Sequence, residues 1–192
     1  PTATGTSLVT ANHRVLSTFP GGHRRATFNP DGTMIAFVSD ASGNPEIWIK
    51  TLASGEPTQI TSGETPASSP SWSPRGDQIV FARAGEGIWT VGPLGSPPPR
   101  QIVAGGSSPS FSPDEARLVY QWGREIWTVN ADGGGAERLE GVPGIGFASV
   151  DAAPSFSPDG AWIAFFRSVD GPMGDFWVIP SGGGEARRLT ND

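Results

Sequence analysis

Ser155-Phe156-Ser157-Pro158-Asp159-Gly160 decides the fold, because variants of this stretch recur along the chain and each recurrence restarts the same pattern. The other copies are Phe28-Asn29-Pro30-Asp31-Gly32, Trp72-Ser73-Pro74-Arg75-Gly76 and Phe111-Ser112-Pro113-Asp114-Glu115. Their aromatic heads stand at 28, 72, 111 and 156, giving spacings of 44, 39 and 45 residues. About twenty residues beyond each head comes a tryptophan preceded by Ile or Phe, at Trp48, Trp89, Trp127 and Trp177. A self-similar period of this length belongs to propellers and solenoids. The turn itself has a mechanism. Pro presets φ, Asp bonds the local backbone, and Gly takes the positive φ that closes a hairpin. Arg75 replaces the Asp of the pattern and Glu115 replaces the Gly, so these two corners are expected to be looser or differently shaped.

Each repeat offers four short strand candidates, all rich in β-branched or aromatic residues and none long enough for a helix. In the first they are the approach to Phe28, then Met34 to Val38, Ile47 to Ile49, and Thr58 to Thr61. Ile47 and Trp48 are adjacent, so they point to opposite faces of a strand and both need cover. A sheet covered on both faces is a propeller blade packed between its neighbours. Residues 1–19 read as the remnant of an incomplete blade, with Val15 to Thr18 aligned to a last strand, and residues 20–192 as the propeller with four repeats. The start lacks both Met and an apolar leader, which reads as a processed chain or an excerpt.

Composition narrows the function. The 192 residues include 27 Gly and 19 Pro, and they punctuate apolar runs at regular intervals as turns between strands do. The net charge is -6 and the 13 basic residues are dispersed, so no positive field exists to hold a nucleic acid. No run is long and apolar enough for a membrane span, so no membrane insertion is expected. With no Cys, the chain bears no mark of its redox compartment.

The motifs Phe/Trp-Ser-Pro-Asp-Gly, then Ile-Ala-Phe, then Ile-Trp-x-Val, then Arg-Arg-Leu-Thr resemble the β-propeller repeat of the TolB family, from roughly Ala26 to Thr190. The resemblance implies an all-β propeller of four TolB-like four-stranded blades, either a closed four-bladed ring or part of a larger propeller. It also implies a periplasmic or extracellular setting, with a protein partner at the mouth of the channel. Similar repeats occur in the propellers of prolyl-oligopeptidase-type peptidases and amidohydrolase-linked domains, so the repeat specifies fold more than function.

Four antiparallel strands in sequence place the first-to-second and third-to-fourth turns at one end of each blade. The second-to-third and inter-blade connections lie at the other. The first end is uniform, whereas the second carries the long stretches 141–151 and 167–174. Variable loops on a rigid scaffold are where binding usually resides. The binding candidates are therefore Trp122, Ile145, Phe147, Asp151, Arg167, Asp170 and Met173, with Ile145, Phe147 and Met173 as an apolar contact patch. Asp151 and Asp170 could form a glycosidase-like pair, but surface acids are usually only solvated. Asp40, Ser42, Asn44 and Glu46 alternate like a calcium loop, yet Pro45 and Thr51 occupy positions where such a loop needs Gly and Glu. The two histidines, His13 and His23, lie outside the regular repeats, and no nucleophile-elbow motif is present.

The expected function is accordingly a non-catalytic scaffold binding a protein or ligand through the long-loop face, with no cofactor and no metal. One alternative is the propeller portion of a prolyl-oligopeptidase-like serine peptidase or amidohydrolase. The other is a purely structural repeat array. Because the fourth repeat owns its last strand, the N-terminal remnant has no vacancy to fill. The chain then reads as cut from a longer propeller, as a small closed ring, or as a crescent that self-associates through open blade edges.

Overall fold

The computed structural model describes residues 19–53, 55–141, 153–168 and 174–190. These form sixteen strands in four antiparallel sheets, and no helix occurs among them. Blade 1 is β1 (His23–Phe28), β2 (Met34–Ser39), β3 (Glu46–Thr51) and β4 (Thr58–Gln59). Blade 2 is β5 (Ala67–Trp72), β6 (Ile79–Arg83), β7 (Gly87–Val91) and β8 (Arg100–Ala104). Blade 3 is β9 (Ser107–Phe111), β10 (Arg117–Trp122), β11 (Glu125–Asn130) and β12 (Glu137–Arg138). Blade 4 is β13 (Ser155–Phe156), β14 (Trp162–Arg167), β15 (Asp175–Pro180) and β16 (Arg187–Arg188). Within every sheet the strands are neighbours in chain order, as a propeller blade requires.

The core lies between blades. Ala36, Val38, Ile47 and Ile49 of blade 1 pack on Ile79, Phe81 and Val91 of blade 2. The same register repeats with Val80, Ala82 and Ile88 against Leu118, Tyr120 and Val129, and again with Val119 and Ile126 against Ile163, Phe165 and Ile179. Each blade thus has an incoming face, which receives the preceding blade, and an outgoing face, which receives the next. Alternation along β2, β6, β10 and β14 sends successive side chains to opposite faces, which is why these strands are apolar throughout.

The four repeated corners have one shape. In each, the fourth residue of the turn donates its N–H to the first: Gly32 to Asn29, Gly76 to Ser73, Glu115 to Ser112 and Gly160 to Ser157, at 2.8–3.0 Å. The φ values there are 71°, 76°, 60° and 71°. The expectation that the Arg75 and Glu115 corners are looser or differently shaped is corrected. Glu115 adopts the same left-handed conformation as the glycines, and its carboxylate receives Arg75, with Nη2 at 2.5 Å from Oε2. The two departures compensate each other across the boundary between blades 2 and 3.

Candidate functional site

The first strands of the four blades approach one another, and those of blades 1 to 3 are bent at the same place. The pairing of β1 with β2 slips between Arg24 and Thr27, that of β5 with β6 between Ser68 and Ser71, and that of β9 with β10 between Val119 and Gln121. The extra residue in each bulge is three positions before the aromatic head. Arg25, Ser69, Ser108 and, just before β13, Ala153 all have positive φ, at 55°, 52°, 51° and 39°. In three of the four the following residue is proline: Pro70, Pro109 and Pro154. A left-handed non-glycine residue costs on the order of 1–2 kcal/mol. The same strained step is therefore taken once per blade.

These bulges converge on a depression of about 200 Å³ lined by Arg25, Thr27, Ser69, Ser108 and Ala153. It carries one cationic side chain and several hydroxyls, an arrangement suited to polar or anionic groups of a ligand. The bulged residues fall in the half of each first strand that starts from the inter-blade connection, so the depression opens toward the long-loop end.

Trp122 lies at that same end, at the tip of the β10–β11 hairpin, and is 44% exposed. Its ring leans on Trp127, with centroids 5.0 Å apart, beside a hollow of about 430 Å³ that Arg124 and Glu125 also line. The inter-blade chain passes close by, because a Cβ on Gly105 would stand 3.0 Å from the indole nitrogen of Trp122. Glu125 is held by Arg138 at 2.9 Å, and Arg138 also grips Glu140 at 2.8 Å. These two carboxylates raise the guanidinium pKa above its already high value.

Of the other predicted residues, Arg167 is the last residue of β14 rather than part of a loop, and its guanidinium lies 5.1 Å over the ring of Trp177. Ile145, Phe147, Asp151, Asp170 and Met173 lie outside the described residues. Asp40 and Glu46 do not share a cation site. Asp40 accepts the N–H of Gly22 at 2.7 Å, while Glu46 is buried against Arg83, with Oε2 3.2 Å from Nη2. Among the described residues no three His, Cys, Asp or Glu side chains converge as metal ligands. Arg25, Ser69 and Ser108, which line the depression, were missed from sequence. For Ser69 and Ser108 the signal was a small residue before proline at a fixed distance upstream of the aromatic head, repeated in Ala153-Pro154 but not at Arg25-Ala26.

A sequence model of the TolB beta propeller domain matches residues 6–145. The chain belongs to the TolB β-propeller family. A TolB homolog of Chlorobium luteolum is 36% identical over 171 residues, covering 85% of this chain and 37% of that protein. The peptidase YuxL of Bacillus subtilis is 27% identical over 155 residues, covering 77% of this chain and 22% of that protein. The crystal structure of TolB from Acinetobacter baumannii superposes with a TM-score of 0.72 at 23% identity, over 88% of this chain and 44% of that one. The chain thus spans less than half the length of each of these relatives. Among the described residues no helix is long and apolar enough to cross a membrane.

Proposed function

We propose that this TolB-type propeller is a non-catalytic scaffold that binds a protein in the periplasm or another extracytoplasmic space. The partner enters at the channel mouth and extends toward the Trp122 rim. The observation that carries this reading is the convergence of three successive bulges, together with the matching left-handed residue Ala153 before β13, which brings Arg25, Ser69 and Ser108 to one polar opening. Conserving strain at equivalent points of four blades costs stability, and such strain concentrates where a fold presents groups to a ligand. An exposed indole at the same end adds the aromatic anchor that protein interfaces favour. The test is a photoreactive amino acid placed separately at positions 25, 69 and 122 in the producing cell. One and the same protein is expected to crosslink at 25 and 122, with crosslinking from position 122 reduced at least fivefold by Arg25→Glu. Recovery of no protein adduct from either position would overturn the reading.

A second reading is favoured by the match to YuxL, whose name is that of a peptidase and of which this chain covers 22%. Here the propeller is the non-catalytic portion of a hydrolase and its channel face filters substrates. Hydrolysis of aminoacyl or peptidyl arylamides by the natural full-length gene product, blocked by a serine-directed fluorophosphonate, would select it over the first.

A further inference from the structure

The outgoing face of blade 4 repeats, residue for residue, the outgoing face of blade 1. In blade 1, Ala36 pairs with Ile49 and Val38 with Ile47, and the amide of Ile60 bonds to the carbonyl of Ile47. In blade 4, Ala164 pairs with Val178 and Phe166 with Phe176, and the amide of Leu189 bonds to the carbonyl of Phe176. The blade 1 set is buried against blade 2. In blade 4 Phe176 is 55% exposed and Leu189 52% exposed.

A second, polar feature repeats with it. In blade 1 the hydroxyl of Thr61 accepts the N–H of Ile47 and donates to Glu46 at 2.5 Å. Arg83, at the end of the second strand of blade 2, then reaches across to Glu46 and also donates to the carbonyls of Ser62 and Thr65. In blade 4 the hydroxyl of Thr190 accepts the N–H of Phe176 and donates to Asp175 at 3.0 Å. The other oxygen of Asp175 is held by Arg188 of the same blade at 2.7 Å. Blades 2 and 3 do not have this arrangement, because Gly87 and Val103, or Glu125 and Glu140, stand at the matching positions. The polar half of the blade 1–blade 2 clasp is therefore reproduced only in blade 4.

We infer that the outgoing face of blade 4 docks a further TolB-type blade that resembles blade 2. The incoming face of that blade carries an Ile-x-Phe pair, and its second strand ends in an arginine that joins Asp175 and Thr190. A second copy of this chain offers a poorer fit. Its incoming face at blade 1 is already covered: Ile35, Phe37 and Trp48 are buried there, Phe19 lies on Trp48 with centroids 4.7 Å apart, and Ser39 occupies the arginine position. The Ser39 hydroxyl is itself engaged by His23 Nδ1 at 3.0 Å.

The chain has no cysteine, so a single thiol can report on the face. Leu189→Cys is labelled with a maleimide, first in the 192-residue chain and then in the same chain extended after Asp192 by a copy of residues 64–104. That junction keeps Thr190 in the register of Thr61. In the extended chain labelling is expected to slow at least tenfold, and the appended amides should resist hydrogen exchange. Arg83→Leu in the appended copy, or Phe176→Asp in blade 4, should restore fast labelling. Blade 2 folds in its own place in the same molecule, so an appended copy that exchanges as unfolded chain while labelling stays fast would overturn the inference. Slow labelling of the unextended chain that depends on its concentration and tracks a dimer would overturn it in favour of a second copy.

Discussion

Glu115 holds a left-handed backbone that its three counterparts assign to glycine, and its side chain is what makes the substitution tolerable. Its carboxylate is nearly buried beneath the Arg75 side chain and also accepts the Arg75 amide. An ion pair with one exposed partner contributes about 0–1 kcal/mol, which is comparable to the cost of the left-handed step. Glu115→Gly removes both terms and is expected to change stability by less than about 1 kcal/mol. Glu115→Ala loses the pair and keeps the strain, so urea unfolding should show it about 1 kcal/mol less stable than Glu115→Gly. The Glu46–Arg83 pair is a different case. Both groups are buried, at 1% and 5% exposure, and stripping one partner leaves an uncompensated charge. Arg83→Leu should therefore cost about 3–5 kcal/mol, measured in the same way. Sequence marked Arg75 and Glu115 as departures from the motif but could not show that they meet, since they are 40 positions apart. The partner of Glu46 was hidden for the same reason: the sequence argued against a cation loop with Asp40, but the arginine that Glu46 meets lies 37 positions away.

At the scale of strands, the pattern was legible wherever burial is two-sided. Every second and third strand stands where the aromatic and β-branched runs placed it, and Ile47, Ile88 and Ile126 are fully buried beside their tryptophans. Phe176 breaks the series, because its neighbour on that face is not another described blade. The bulges were not legible, since a one-residue slip in pairing leaves the apolar spacing downstream of it unchanged. They can be tested within one strand. Ser69 has φ 52°, so Ser69→Gly should relieve left-handed strain and raise stability by up to about 1 kcal/mol. Ser71, past the bulge and paired with Val80, has ordinary strand geometry, so Ser71→Gly should lower it by about 0.5–1 kcal/mol. Equal losses from both, in thermal or urea unfolding, would remove strain as the property that distinguishes the bulge. Of the predicted site, Trp122 is placed on an exposed rim and Arg167 on its own blade's tryptophan, whereas the long connections fall outside the described residues.

Across the whole molecule the four corners form one pole of the arc, and three of them use a carboxylate in the same way. Asp31 accepts the Thr33 hydroxyl and amide, Asp114 the Ser112 hydroxyl and the Ala116 amide, and Asp159 the Ser157 hydroxyl and the Ala161 amide. These donors favour the ionised form and hold all three carboxyls below the usual aspartate range. A carboxyl with a lower pKa in the folded state contributes stability that is present above its unfolded value, near 4, and is lost as pH falls through the folded value. The protein should hold its urea midpoint steady from pH 7 to about pH 5 and lose it progressively below about pH 4. Combining Asp31→Asn, Asp114→Asn and Asp159→Asn should lower the midpoint at pH 7 and flatten the fall below pH 4. The reason is that an amide can still accept from the same donors but has no charge to lose. If the triple variant loses stability on acidification as steeply as the parent, the acid sensitivity does not belong to the repeated corners.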